Sequence, residues 1–279
     1  MQKMMNSSII YNYTKVKGTF FYLPLFLLIS IVLYLYTQDS LDAYSYVQIQ
    51  KNVFFYLNSK LSQYPDLQSN LSETGDTLVA FSFLSFFVLY APKVWEDLLS
   101  ASLVGLLFSI VLKKIFAVPR PAAVFNTDNF VIIGKTLCGC NSLPSGHSIT
   151  VFTTLTVLLL TFMPKKIIHK IVLCSFVLVL GLILVLARVA VGAHYPFDII
   201  VGSIIGYISG LLGIFINQKY NIWTWINNKK YYPVFILMFI TMCFLIIYKE
   251  MHENLMIFSL SLVCLIISIC KITIVYAKK

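Results

Sequence analysis

Chemically active residues fall at three places in this sequence, each beside a long apolar run. The first place is residues 143–147, Leu-Pro-Ser-Gly-His, directly before an apolar stretch. Amide groups in the first turn of a helix lack internal partners and carry partial positive charge, so they favour an anion. Gly146 allows close approach of a bound group, Ser145 can cap the helix or donate a hydroxyl, and His147 titrates near neutral pH. These parts suit phosphate, although Pro-Ser-Gly alone is equally typical of a turn and helix cap.

The second place is residues 188–198, with the sequence Arg-Val-Ala-Val-Gly-Ala-His-Tyr-Pro-Phe-Asp. Pro196 suits the first turn of the apolar helix that follows it. His194 then lies just before that helix and Asp198 within its first turn. We therefore expect a histidine and a carboxylate to meet at a helix start, with Arg188 at the end of the preceding apolar run.

The elements that must position these residues are membrane-spanning helices. Of the 279 residues, 59% are hydrophobic and only 11% are charged, and the mean hydropathy is +0.84. These values are typical of an integral membrane protein. Eight apolar stretches are predicted to span the bilayer, at 18–36, 77–92, 97–112, 148–163, 171–187, 197–216, 231–247 and 254–270. The expected fold is an all-α, polytopic transmembrane helix bundle.

The distribution of lysine and arginine predicts the orientation of the bundle. If the N-terminus is inside, the inner segments carry most of the lysines and only two acidic residues, Glu96 and Asp97. This bias predicts that both termini are cytoplasmic. The net charge of +10 is then a consequence of topology. No basic and aromatic motif for nucleic acid is present, so no nucleic-acid partner is expected.

In this orientation all three chemically active places face the outer side. The third place holds Lys113 and Arg120, at the start of a long outer loop that runs to His147. The positive-inside rule would remove cations from this face, and ionisable groups at a membrane boundary are costly unless they serve a function. A phosphate ester supplies that function, because its oxygens need cationic donors and its transition state spreads negative charge over them.

The residue types assign a role to each member of this candidate site. A neutral His194 can attack phosphorus if Asp198 holds its other ring nitrogen, and His147 can then protonate the leaving group. Water would hydrolyse the resulting phosphohistidine. The predicted phosphate-binding residues are Lys113, Arg120, Ser145, Gly146 and Arg188. No carboxylate cluster suited to two metal ions is present, so neither a metal nor a cofactor is expected.

Together these residues resemble the type 2 phosphatidic acid phosphatase family, the PAP2 membrane phosphatases. The three-part signature of the family occurs here as Lys113 with Arg120 and Pro121, as Pro144 to His147, and as Arg188, His194 and Asp198 at the family's spacing. One position departs from it, because Ala187 replaces the family's serine before the arginine. That change removes one hydrogen bond to phosphate, worth on the order of 1 kcal/mol. The resemblance covers about residues 97–216.

The resemblance implies a metal-independent histidine phosphatase that acts on lipid phosphates at the outer leaflet. Lipid A phosphate, undecaprenyl diphosphate and phosphatidylglycerophosphate are the natural candidates in a bacterial inner membrane. Two alternatives remain open at this point. A lipid phosphotransferase would use the same site, and a non-catalytic transporter of anionic lipids would use the cations only for binding.

Three parts of the chain are expected. Residues 1–76 form a tail, an uncleaved first span and an outer segment, residues 77–216 the PAP2-like catalytic core, and residues 217–279 a two-span extension that serves packing or partner contact. In the outer segment, the helical spacing of the apolar residues Val47, Phe54, Leu57 and Leu61 predicts an interfacial helix that carries them on one face. Cys138 and Cys140 are free thiols, a disulfide or a metal site, and the oligomeric state is left open.

Overall fold

The computed structural model describes residue 12 and residues 16–278, so most of the predicted tail, 1–17, lies outside the described residues. The α-helices are α1 (Tyr22–Thr37), α2 (Ala43–Leu61), α3 (Pro65–Glu73), α4 (Thr77–Phe83), α5 (Phe87–Tyr90), α6 (Pro92–Phe116), α7 (Pro121–Val124), α8 (Gly146–Thr161), α9 (Ile167–Ala190), α10 (Pro196–Tyr220), α11 (Tyr232–Glu253) and α12 (Met256–Ala277). Short 3-10 helices occupy Gly18–Phe21, Thr127–Asn129, Thr224–Asn227 and Lys229–Tyr231. The prediction of an all-α bundle is confirmed.

Six helical segments of the described chain are long and apolar enough to cross a membrane. They are Gly18–Thr37, Pro92–Val124, Ile167–Ala190, Pro196–Tyr220, Lys229–Glu253 and Met256–Ala277. Helix α8 is a shorter apolar helix of 16 residues. The predicted span 77–92 is divided between the short helices α4 and α5. The predicted number of eight spans is therefore approximate.

Helix α10 lies at the centre of the bundle and packs against α8 and α6. Small residues on α10 permit this close packing. A Cβ atom on Gly206 would lie 2.5 Å from the backbone oxygen of Ile149, and one on Gly213 would lie 2.4 Å from Cα of Ala101. The close approach also brings together the N-terminal ends of α8 and α10, where the Ser145 amide donates to the Asp198 carbonyl at 3.1 Å.

Buried polar groups join α6 to α10 at the opposite end of the bundle. Asn217 donates to Asp97 at 2.7 Å and to Glu96 at 3.3 Å. Lys93 forms an ion pair with Glu96 at 2.8 Å. The sequence placed these acidic residues in a loop on the inner side, and the assignment to a loop is wrong. They belong to the first turns of α6, which begins at Pro92, because proline suits a first helical turn and both carboxylates are buried and bonded there.

Helix α2 packs across the end of the bundle at which α8 and α10 begin, against α9 and α10. Its buried side chains are Tyr46, Val47, Gln50, Phe54 and Asn58. The expected apolar face was therefore only partly right, because Leu57 and Leu61 are half-buried and three polar side chains take part. Asn58 shows the reason, since its amide donates to the carbonyls of Val189 and Ala190, at the end of α9.

The two-span extension, α11 and α12, forms a hairpin that packs on α4. The contact is apolar, with Phe235, Phe239 and Phe258 in one buried cluster with Trp95 of α6. Close van der Waals packing of such large side chains helps to hold the hairpin to the bundle, because lipid tails are as apolar as the side chains and leave little hydrophobic driving force. Packing within the chain is therefore one role of the extension.

Candidate active site

His194 and Asp198 lie side by side in the interior, at the start of α10. The exposed fraction of His194 is 1% and that of Asp198 is 0%. Nδ1 of His194 is 3.4 Å from Oδ2 of Asp198. This contact leaves Nε2, which has no hydrogen-bond partner among the described residues, as the ring nitrogen available for a reaction. The predicted pair of histidine and carboxylate is therefore brought together.

Asp198 is held by three further donors. The Ser142 hydroxyl donates to Oδ2 at 2.5 Å, the Tyr195 amide donates to Oδ2 at 2.9 Å, and the Tyr46 hydroxyl donates to Oδ1 at 2.9 Å. Burial, and after it the charge of Asp198, raises the pKa of Tyr46 well above its usual value, so this phenol keeps its proton. The sequence did not identify Tyr46 or Ser142, because neither belongs to a recognisable motif.

The electrostatic environment keeps His194 neutral. Burial is the main cause, and the positive charges of Arg120, Arg188 and Lys113 add to it, so that the pKa of His194 lies well below 6.5. An imidazole in a low-dielectric site beside several cations resists protonation. The unprotonated ring is the form that can act as a nucleophile.

The three cations come from different elements but lie around the same histidine. Arg120 donates through Nε to Asn141 at 2.7 Å and through Nη1 to the Ala193 carbonyl at 3.3 Å. Arg188 donates through Nη1 to the Ser72 hydroxyl at 2.5 Å, while its buried Nε has no partner among the described residues. A buried guanidinium N–H without a partner is a donor suited to an anionic ligand.

The N-terminal end of α8 completes the cradle. The Ser145 hydroxyl caps the helix by accepting from the Ser148 amide at 3.4 Å, and the Ser145 amide donates to the backbone carbonyl of Asp198. The amides of Gly146 and His147 remain for an anion. A Cβ atom on Gly146 would lie 3.5 Å from Nζ of Lys113, so the cation and the helix end face the same space. All eight predicted site residues thus lie at one end of the bundle.

The turn between α3 and α4 contributes residues that the sequence analysis missed. Gly75 packs against His147 so closely that a Cβ atom would lie 2.8 Å from that of the histidine. Glu73 Oε1 lies 3.8 Å from Nε2 of His147. Lys249, from the end of α11, lies 3.1 Å from Glu73 and 2.8 Å from Asp76. The acidic composition of this outer segment was visible in the sequence, but nothing there related it to His147.

One group of possible metal ligands occurs in the described part of the chain. It consists of Glu73, Asp76 and His147, whose ligand atoms lie within 4.8 Å of one another. The ammonium group of Lys249 already bonds both carboxylates. This lysine supplies the positive charge that the two acids require, so the donor set does not fit a resident cation while Lys249 is in place.

A cavity of about 370 Å³ opens beside the site, between α4, α6 and α8. It reaches Gly146 and His147 at one end. Its walls include Phe81, Leu103 and Leu106, so most of the lining is apolar. An apolar groove that ends at a group of cations is suited to a molecule with a hydrocarbon part and an anionic head.

The fold defines an integral membrane protein, and the site is a group of cations and histidines at one end of its helical bundle. Residues 94–223 match the model of the PAP2 superfamily. A search of solved structures finds LpxE of Aquifex aeolicus, with 25% identity and a TM-score of 0.50. The match covers 60% of this chain and 95% of LpxE. A search of curated protein sequences finds no match. The family and this structural neighbour support a membrane phosphatase.

Proposed function

We propose that the protein removes phosphate from a lipid phosphate or diphosphate through a phosphohistidine intermediate. The observation that carries this proposal is the buried His194, paired with Asp198 and surrounded by Arg120, Arg188 and Lys113. A neutral nucleophile beside a cationic cradle is what displacement at a phosphate requires.

In the first step, Nε2 of His194 attacks phosphorus and the bond from phosphorus to the leaving oxygen breaks. Asp198 stabilises the imidazolium that forms, because its carboxylate accepts a hydrogen bond from the Nδ1–H group, which keeps its proton. The cations and the free amides at the start of α8 stabilise the charge on the phosphoryl oxygens. His147 donates a proton to the leaving oxygen, which departs as an alcohol or as a phosphate.

In the second step, water attacks the phosphohistidine and the bond from phosphorus to nitrogen breaks. His147, now unprotonated, accepts a proton from the water, so the step restores both histidines and releases inorganic phosphate. This sequence uses the chain's own residues at every stage and needs neither a metal ion nor a cofactor.

The apolar groove supports a lipid as the substrate. Its hydrocarbon part would lie along α4 and α6, with the phosphate at the start of α8. We propose lipid A phosphate, undecaprenyl diphosphate and phosphatidylglycerophosphate as the candidate substrates. We further propose a bacterial inner membrane as the location, with both termini cytoplasmic and the site facing the periplasm or exterior.

The test is release of inorganic phosphate by the purified protein in detergent, with a chelator present, across the three candidate lipids and phosphatidate. We expect release from at least one lipid and no detectable release by His194→Ala. His169→Ala is the matched control, because His169 is exposed at the opposite end of the bundle, and we expect it to keep full activity.

Two results would contradict the proposal. Wild-type activity in His194→Ala would overturn the assignment of the nucleophile. A folded wild-type protein that releases no phosphate from any of these lipids would overturn the hydrolase function. Addition of a short alcohol separates a phosphotransferase, which would form the alkyl phosphate in place of inorganic phosphate.

A further inference from the structure

A chain of charged side chains links the C-terminal hairpin to His147. Lys249 lies in the last turns of α11, outside residues 94–223 that match the family. Its Nζ donates to Asp76 at 2.8 Å and to Glu73 at 3.1 Å. The other oxygen of the Glu73 carboxylate faces Nε2 of His147 at 3.8 Å.

These contacts are partly buried. The exposed fraction of the side chain is 17% for Glu73, 21% for Asp76 and 26% for Lys249. Charges shielded from water to this extent interact more strongly than those of an open surface, and salt screens them less. The arrangement therefore differs from the ion pair of Lys135 and Glu253, in which the lysine side chain is 76% exposed.

The charges around His147 explain why a carboxylate is needed there. A general acid must carry a proton before it acts. Burial lowers the pKa of His147 well below its usual value, and the charges of Arg188 of α9, His194, Lys249 of α11 and Lys113 of α6 lower it further, so a negative charge is needed to hold the proton. Glu73 and Asp76 are the acidic groups beside it. Lys249 bonds both carboxylates and fixes Glu73, whose other oxygen faces Nε2 of His147, so Glu73 supplies the negative charge that favours the protonated imidazole.

Geometry also favours Glu73. Nε2 of His147 is buried and has no hydrogen-bond partner among the described residues. Its distance of 3.8 Å from Glu73 is too long for a hydrogen bond but within the range of an ion pair. Catalytic contacts are often long without substrate and shorten in the complex.

We propose that Glu73 is a positioning residue for the proton donor His147 and that Lys249 holds Glu73 in place. The C-terminal hairpin then takes part in proton transfer to the leaving group, besides packing against α4. This inference rests on the function proposed above. It assigns a role to a part of the chain that lies outside the PAP2 segment.

The test uses the dependence of the rate on the leaving group. Nitrophenolate departs without a proton, so p-nitrophenyl phosphate does not need His147 as an acid, whereas a lipid phosphate does. We expect Glu73→Gln to lower kcat for the lipid about 10-fold to 100-fold. This loss is only a part of the rate enhancement that general acid catalysis typically provides, because His147 itself is still present. The same variant keeps kcat for p-nitrophenyl phosphate within about threefold of the wild type.

Two further variants test the link to the hairpin. Lys249→Met should lower the ratio of kcat for the lipid to kcat for p-nitrophenyl phosphate, as Glu73→Gln does. The double variant, Glu73→Gln with Lys249→Met, should have a ratio no lower than that of Glu73→Gln alone. Glu253→Gln and Lys135→Met are the matched controls, because they remove the exposed ion pair on the same side of the protein. The ratio of the two rates is measured within one sample, so partial unfolding does not change it.

The outcomes are distinguishable. An equal loss for both substrates, or no loss, in Glu73→Gln would overturn the positioning role of Glu73. Additive effects of the two substitutions would overturn the link through Lys249. A wild-type protein without phosphatase activity would instead contradict the proposed function.

Discussion

At the scale of single residues, the site depends on the buried carboxylate of Asp198. Taking this group out of water is costly unless hydrogen bonds replace the lost solvation. Three donors, from Ser142, Tyr195 and Tyr46, supply that replacement and leave Oδ2 beside His194. The carboxylate is thereby held in the position from which it can orient the imidazole.

Removal of the Tyr46 hydroxyl tests this arrangement. We expect Tyr46→Phe to lower kcat for the lipid substrate about tenfold, since a hydrogen bond to a charged group contributes roughly 1.5–3 kcal/mol. Tyr44→Phe, on the exposed side of the same helix, should have no effect, because Tyr44 is 70% exposed. Steady-state kinetics of both variants provide the measurement, and equal rates for Tyr46→Phe and the wild type would contradict the role of this bond.

The environment of His194 predicts how activity depends on pH. Protonation removes the nucleophile, and burial with the neighbouring cations holds the pKa of His194 well below 6.5. The neutral form therefore persists as the pH falls through 6.5, and activity is lost only at lower pH. The check is kcat/KM as a function of pH, corrected for titration of the substrate phosphate. Loss of half of the corrected activity at pH 6.5 or above would contradict this expectation.

At the scale of elements, the packing of α10 against α8 decides whether the site forms. The α10 helix carries His194 and Asp198 at its start, while α8 carries Gly146 and His147. The two helix starts meet because glycine on α10 lets the helix backbones approach. Gly206 is the tightest of these contacts with α8.

Gly206→Ala should destabilise the protein. Alanine favours a helix by about 1 kcal/mol over glycine, but its Cβ would lie 2.5 Å from the Ile149 carbonyl oxygen. Overpacking of this kind costs typically 1–3 kcal/mol, so we expect a melting temperature about 2–6 °C lower. The matched control is Gly18→Ala, where no atom lies within 4 Å of the added methyl group. Thermal unfolding in detergent compares the two, and equal melting temperatures would show that the helices can shift apart.

At the scale of the whole molecule, the ends of the bundle differ in their polar groups. One end holds the histidines and the three cations, while the other holds Glu96 and Asp97, bonded to Lys93 and Asn217. The loop before α8, with the exposed free thiols of Cys138 and Cys140, lies at the end that holds the site. These thiols therefore report on which side of the membrane the site faces.

Labelling with a membrane-impermeant maleimide tests the orientation. We expect the reagent to modify Cys138 and Cys140 in cells with an intact inner membrane, because the proposed orientation places their loop outside. The variant with Cys138→Ser and Cys140→Ser should lose this labelling, which shows that the lipid-facing cysteines do not contribute. Modification that needs lysis of the inner membrane would place the site on the cytoplasmic side.

Much of the bundle and of the site could be predicted from local patterns. Hydropathy identified most helices, because each must satisfy its own backbone groups in lipid. The site residues recognised from sequence, including Arg188 and His194, lie in short motifs at helix ends, where spacing along the chain determines their position. The division of span 77–92 into α4 and α5 was not predictable from hydropathy, since both parts are apolar.

The sequence by itself determined the all-α class of the fold, the resemblance to the PAP2 family and the chemically active residues. These depend on residue types at short spacings along the chain. Only the tertiary structure decided which groups hold those residues in place. Tyr46 and Asp198 are separated by 152 positions, and Lys249 and Glu73 by 176. Contacts over such distances depend on how whole helices pack, and no local pattern of residues records that packing.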